Sequence, residues 1–256
     1  MLSLIFLSFV QSITEFLPIS SSGHLLLLSV HEELGRDILL HLGTLFAVLF
    51  YFREDVKEVL KGLLPKAKNR QLLVQLFVAT IPIVLIGLCL MKIDWIENFR
   101  NRVVVAYASI IFGVLLWFAD NYFPAHQRLN HMSLSHAFLI GCAQVFSLIP
   151  GSSRSGTTMT CARMLGLSRT DSARFSMLLS IPAICLAVLY ALWQGWTGEL
   201  ILPGAVESVG AVGLTFFFGF FVINFLMVWV QKASYTIFAV YRILLGIGLL
   251  IYLSFT

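Results

Sequence analysis

Two short stretches place chemically capable side chains inside otherwise apolar sequence. Gln11 to His24 reads QSITEFLPISSSGH, and Gln144 to Thr158 reads QVFSLIPGSSRSGTT. In the first, the hydroxyls of Ser20, Ser21 and Ser22 share one turn with two candidate bases, Glu15 and His24, the composition needed for an activated nucleophile. His24 can equally serve as a helix-end residue with a purely structural bond. The second stretch has the features of an anion cradle. Gly151 and Gly156 permit a tight turn, and Ser152, Ser153, Ser155, Thr157 and Thr158 supply hydroxyls. Arg154 adds a planar cationic fork, and a helix predicted to begin near Thr157 presents its positive end. A P-loop is excluded, because Thr157 stands where its lysine belongs and no strand precedes it. Close helix packing would explain the small residues. It would not explain Arg154.

Glu15 is the carboxylate that falls well inside an apolar segment, four residues after Gln11 and on the same helical face. An ionisable group at bilayer depth costs at least about 2.5–3.5 kcal/mol, so Glu15 and Arg154 are functional candidates by default. The economical expectation is that each compensates the other, directly or through a bound anion or metal. Arg242, in the last apolar run, is either a site residue or a packing arginine. His31 and His41 lack polar company and read as packing residues, while His126, His131 and His136 sit in or near a loop.

Such side chains need a scaffold that tolerates broken helices in lipid. Of the 256 residues 59% are hydrophobic and 12% charged, against about 25% charged in soluble domains, so the chain reads as one polytopic membrane domain spanning 1–256. The net charge of +4 comes from loop residues and speaks against a nucleic-acid surface. Met1 to Val10 has neither a basic flank nor a cleavage site, so it does not read as a signal peptide. Cys89, Cys142, Cys161 and Cys185 are widely spaced and support neither a disulfide framework nor a zinc site.

Six full spans are predicted at about 38–52, 72–91, 103–119, 175–193, 209–230 and 236–254, with Pro82 and Pro182 inside two of them. Arg53 to Arg70 is a loop or surface helix. Each polar stretch is flanked by segments too short for a core of about 30 Å, which predicts two re-entrant helical hairpins. A hairpin crosses zero times and each half, 1–119 and 137–256, has three spans. An odd number inverts the second half, so the expected fold is an all-α inverted-topology repeat whose hairpins enter from opposite faces and meet. Loops 53–71, 120–136, 166–174 and 231–235 carry Arg53, Lys57, Lys61, Lys66, Lys68, Arg70, Arg128, Arg169, Arg174 and Lys232. The other face carries Arg36, Lys92, Arg100 and Arg102. The richer side is therefore expected to be cytoplasmic, with both termini and the first hairpin mouth outward.

The motifs QSITEFLPISSSGH and PGSSRSGTT, followed by ARFSMLLSIPA and FAVYRILLG, resemble the bacterial undecaprenyl-diphosphate phosphatase family, also called the bacitracin-resistance protein family. The likeness covers essentially the whole chain. It implies a multi-pass phosphatase of the bacterial plasma (inner) membrane that removes the terminal phosphate of a C55 isoprenoid diphosphate, recycling the cell-wall carrier lipid and conferring bacitracin resistance. It also implies a divalent cation, Mg2+ or Ca2+. Carried over position by position, the acidic motif falls on Gln11 and Glu15, the serine turn on Ser20 to Gly23, the histidine on His24 and the phosphate-binding motif on Pro150 to Thr158. The first acidic position is Glu in many members and Gln11 here, which leaves Glu15 as the strong candidate metal ligand and Gln11 a weak one.

On that resemblance Ser21 is the preferred nucleophile, with Glu15 or His24 taking its proton; a histidine nucleophile or direct attack by water stays open. Arg154, the Gly151 to Gly156 backbone and Thr158 would hold the diphosphate. The partners implied are the polyprenyl diphosphate lipid and the bilayer, and a homodimer is compatible with the sequence. The competing class is a secondary transporter or flippase for an anionic or lipid-phosphate substrate, which shares the architecture but needs no nucleophile beside a base. Type 2 lipid phosphatases are a poor match, because position 160 is Thr160 and not the histidine their pattern requires.

Overall fold

The computed structural model describes residues 2–27, 34–64, 70–90, 101–196 and 203–255. In chain order the helices are α1 (Leu2–Phe16), α2 (Ser21–Leu27), α3 (Leu34–Tyr51), α4 (Arg53–Gly62), α5 (Gln71–Leu90) and α6 (Arg102–Tyr122). They continue with α7 (Leu134–Val145), α8 (Arg154–Met164), α9 (Arg169–Trp196), α10 (Ala205–Lys232) and α11 (Thr236–Ser254). The described residues contain no strand beyond one isolated bridge, between Gln127 and Leu167. In lipid a helix satisfies every backbone group within its own segment, which is why long apolar runs fold this way.

Five helices, α5, α6, α9, α10 and α11, are long and apolar enough to cross a membrane. A sixth span is reached by counting α3 with α4, from which it is bent by 84°. The predicted surface segment after Phe52 is thus a helix turned off the end of a span. Phe77, Leu85, Leu189, Leu244 and other large apolar side chains are exposed on the outer helix faces, as lipid-facing surfaces require. The protein is an all-α polytopic membrane protein. Pro82 and Pro182 lie inside α5 and α9 as expected.

Packing is built from pairs. α6 lies along α11, α3 and α1 lie along α10, and α5 lies along α7. Glycines allow the closest approaches: a β-carbon on Gly113 would sit 3.1 Å from the Ala239 carbonyl oxygen, and one on Gly246 would sit 2.6 Å from that of Ala106.

A buried polar knot ties the loops at one end. Asp120, at the end of α6, accepts from Arg163 Nε at 3.1 Å, Arg169 Nε at 2.8 Å and the Tyr235 backbone N–H at 2.8 Å. His126 and Gln127 donate backbone N–H groups to Gly166, and Arg174 pairs with Asp55 of α4. Burial pushes the Tyr235 phenol well above its ordinary range, and its hydroxyl donates to the Arg169 carbonyl at 2.8 Å. The loops following α3, α6, α8 and α10 therefore share one face. At the opposite ends of their helices, Arg36 of α3 pairs with Glu207 of α10 at 2.8 Å.

The second polar stretch differs in one respect from expectation. Its helix starts at Arg154, not near Thr157, because Ser153 adopts a left-handed φ of 70° and its Oγ accepts from the Gly156 N–H at 3.1 Å. Side-chain capping fixes a helix start directly. Arg154 consequently belongs to the first turn of α8.

Candidate active site

The two breaks, after α1 and before α8, have one local structure. Among the described residues Ser20 (φ 78°) and Ser153 (φ 70°) are the two non-glycines with positive φ. Each immediately precedes a helix, and each Oγ accepts from the N–H of the glycine three positions on, Gly23 at 3.4 Å and Gly156 at 3.1 Å. A left-handed serine is strained, so something must hold both turns. Arg242 of α11 does so: its buried guanidinium donates to the carbonyls of Pro18 (3.3 Å), Gly151 (3.0 Å) and Ser152 (2.7 Å). These are carbonyls that the broken helices leave without helical partners. The breaks also touch directly, through Ser155 Oγ donating to the Leu17 carbonyl at 3.1 Å.

Between the breaks lies a cavity of about 340 Å³ whose walls include Glu15, Ser20, Ser21, His41, Ser153 and Arg154, closed on one side by Ala183, Ile184 and Ala187 of α9. Glu15 is its hub. Arg154 Nη2 donates to Oε1 at 2.9 Å and Ser21 Oγ donates to Oε2 at 2.9 Å. Gln11 Nε2 lies 3.4 Å from the same Oε2. The other arm of Arg154 donates to the Ser176 carbonyl at 2.9 Å, which ties the guanidinium to α9 and fixes its plane. A serine hydroxyl aimed at a carboxylate is an activated nucleophile, and a planar cation beside it is a phosphate contact.

The other residues singled out from the sequence are distributed around this hub. His24 turns away from Glu15: Nδ1–H donates to the Ser20 carbonyl at 2.7 Å, and Nε2 accepts from the Tyr241 hydroxyl at 2.6 Å with the two rings stacked. Of the predicted cradle, Ser153 and Arg154 face the cavity. Ser152 bonds the Ile149 carbonyl, Thr157 that of Arg154, and Thr158 Oγ1 lies 2.7 Å from Ser176 Oγ. Several cradle N–H groups are spent within the turn, those of Ser152, Gly156 and Thr157 among them. Its glycines serve close approach: a β-carbon on Gly151 would lie 2.8 Å from the Val105 carbonyl oxygen, and one on Gly156 would lie 2.5 Å from Arg242 Nη1. Arg242 is thus a packing arginine that supports the turns. His31, Lys66, Lys68, Lys92 and Arg100 lie outside the described residues, as does the side chain of Ser22.

A family model for the bacitracin resistance protein BacA matches residues 4–248. The chain belongs to the BacA family. Its BacA-family relatives include three proteins named undecaprenyl-diphosphatase, each 41% identical to this chain. They come from Maricaulis maris, with 97% of each chain covered, and from Alteromonas mediterranea and Elusimicrobium minutum, with 96% of each covered.

The cation that the BacA resemblance implies can be tested against the donors present. Gln11 Oε1 is buried and has no hydrogen-bond partner, beside a carboxylate that is the natural ligand for a hard ion. Among the described residues no three His, Cys, Asp or Glu side chains gather into a metal site. The donors therefore fit an ion shared with phosphate oxygens or water, and not one held by protein alone.

His41, Ser176 and Tyr241 were missed by sequence reasoning. The rule that selected Glu15, an ionisable group inside an apolar span, selects His41 equally. Applied evenly, it would have found it.

Proposed function

We propose that the protein is an integral-membrane phosphatase that hydrolyses undecaprenyl diphosphate to undecaprenyl phosphate and inorganic phosphate. The reading is carried by one arrangement: Glu15 accepts from Ser21 on one oxygen and from Arg154 on the other, inside a cavity. Ser21 Oγ attacks the terminal phosphorus as Glu15 takes its proton, and undecaprenyl phosphate leaves with the bridging oxygen, to which Glu15 passes that proton. Glu15, again a carboxylate, deprotonates water, which attacks the phosphoserine; phosphate is released and Ser21 Oγ takes the proton back from Glu15. Arg154 neutralises the phosphoryl oxygens, the term that dominates such transfers. A divalent cation bound by Glu15 and Gln11 would add charge neutralisation at the same oxygens. His24, bonded to Ser20 and Tyr241, positions the serine turn.

The same reading covers topology. Gln11 and Gln144, Ser20 and Ser153, Gly23 and Gly156, Ala106 and Ala239, and Gly113 and Gly246 are each 133 positions apart. Both glutamines bury an unpaired Oε1. These correspondences support two pseudo-repeats, within 1–119 and 137–256, in inverted orientation. The shared face of the basic loops supports placement in the bacterial plasma membrane with both termini outward. Purified protein in detergent should release phosphate from undecaprenyl diphosphate, and Ser21→Ala should not; a folded Ser21→Ala with full activity removes the nucleophile assignment. Binding of the lipid without any phosphate release by the native chain would instead favour a transporter or flippase.

A further inference from the structure

We propose that His41 is a metal ligand, and that with Glu15 and Gln11 it forms a mixed nitrogen–oxygen site for a first-row divalent ion such as Mn2+. The inference deepens the phosphatase reading and rests on it for the ion's purpose, which is to meet the substrate's phosphate oxygens.

His41 sits in the middle of α3, a third exposed, and lines the same cavity as Glu15, Ser21 and Arg154. Its Nδ1 is 2.8 Å from the Asp37 carbonyl oxygen. A carbonyl can only accept, so Nδ1 carries a proton, and in the neutral ring the lone pair then lies at Nε2. That is the arrangement typical of metal-ligating histidines, whose second nitrogen is pinned to a backbone carbonyl or carboxylate. His24 instead bonds the Tyr241 hydroxyl through Nε2, and neither residue is among the cavity walls; at His41 the partner of Nε2 is the Gln11 amide of the site itself.

The His41 lone pair points at the other two donors. Nε2 is 3.7 Å from Glu15 Oε2, the spacing of neighbouring ligands around one ion, and 3.2 Å from Gln11 Nε2. Gln11 is fully buried, and its Oε1 has no partner. A half-turn of that amide presents Oε1 where Nε2 now stands, in reach of an ion held by Glu15 and His41. Three donors from α1 and α3 then converge, leaving the remaining positions to phosphate oxygens or water. A purely packing histidine gives no reason for a lone pair to face a carboxylate, since the two repel unless a cation lies between them.

The donor set also indicates which ion. Ca2+ and Mg2+ take oxygen ligands, whereas imidazole favours first-row transition ions. Gln11 and Glu15 supply oxygen and His41 supplies nitrogen, so the donor set is mixed.

The test uses full-length, tag-free protein in detergent with Mn2+ alone, read by pulsed EPR for coupling to ligand nitrogen. Native protein should show imidazole 14N coupling, which converts to 15N when histidine is isotopically labelled. His41→Gln should abolish it and weaken Mn2+ binding by at least about tenfold, the lower end of what losing even an outer-shell partner costs. His24→Gln should leave it intact. Should His41→Gln not fold, His41→Asn takes its place. Absence of histidine coupling in the native protein, its persistence in the His41 variant, or its loss in His24→Gln overturns the proposal. Phosphate release from undecaprenyl diphosphate is measured separately, so release without histidine coupling sinks the ligand and leaves the phosphatase, and coupling without release does the reverse.

Discussion

Gly156 of α8 packs so closely on Arg242 of α11 that a β-carbon at position 156 would stand 2.5 Å from the guanidinium Nη1. Nothing larger than hydrogen fits without displacing a buried cation from three carbonyls. Gly156→Ala is therefore expected to lower stability by about 1–3 kcal/mol, the usual range for overpacking. A reduced thermal unfolding midpoint in detergent is the measurement, and an unchanged midpoint would mean that the arginine has room to move.

Arg242→Met should be the more damaging change at that contact. It removes every donor to the Pro18, Gly151 and Ser152 carbonyls while keeping much of the side-chain volume. Each buried acceptor left unsatisfied costs about 1–3 kcal/mol. Both breaks should lose their shape together, visible as simultaneous protease sensitivity near residues 17–20 and 149–153.

Arg154 is held by two different partners, Glu15 and the Ser176 carbonyl. A lysine ammonium is a point charge and lacks the planar fork that spans them. Arg154→Ala is expected to lower kcat by about 10²–10³-fold, with Arg154→Lys recovering only a small part. Phosphate release at saturating substrate decides it, and full rescue by lysine would show that charge alone suffices.

Asp120 holds two arginines and a backbone N–H, none of them among the cavity walls. Asp120→Asn leaves the buried Arg163 without its countercharge, for which about 3–5 kcal/mol is the usual loss. The unfolding midpoint should fall steeply while activity per folded molecule is retained. Loss of activity at unchanged stability would contradict a purely architectural role.

Glu15 and Arg154 were legible in the sequence because a charge inside an apolar run is costly wherever the chain goes, so their pairing needed no coordinates to be expected. The span boundaries followed from hydropathy for the same reason. Ser153 was not legible in this way: its left-handed φ accompanies a local cap on the Gly156 N–H and a turn whose preceding carbonyls are held by Arg242 from the last helix, and it moved the start of α8 by three residues. The cradle hydroxyls misled because serines serve a turn and a ligand equally well; Ser152 and Thr157 bond their own segment. His41 carries the same signal as Glu15, an ionisable group inside an apolar run, but the neighbours that give it a role, Gln11 and Glu15, arrive from another helix.

The grip of Arg242 on both bends has a consequence for how the molecule can come apart. It is supplied by the last helix, and Ser109, 133 positions earlier, occupies the corresponding place in α6. The amino-terminal portion thus borrows the clasp that shapes its own serine turn. Two fragments separated within the 123–133 connection should regain that turn only after reassociating, so the protein unfolds as one cooperative body and not as a tandem of modules.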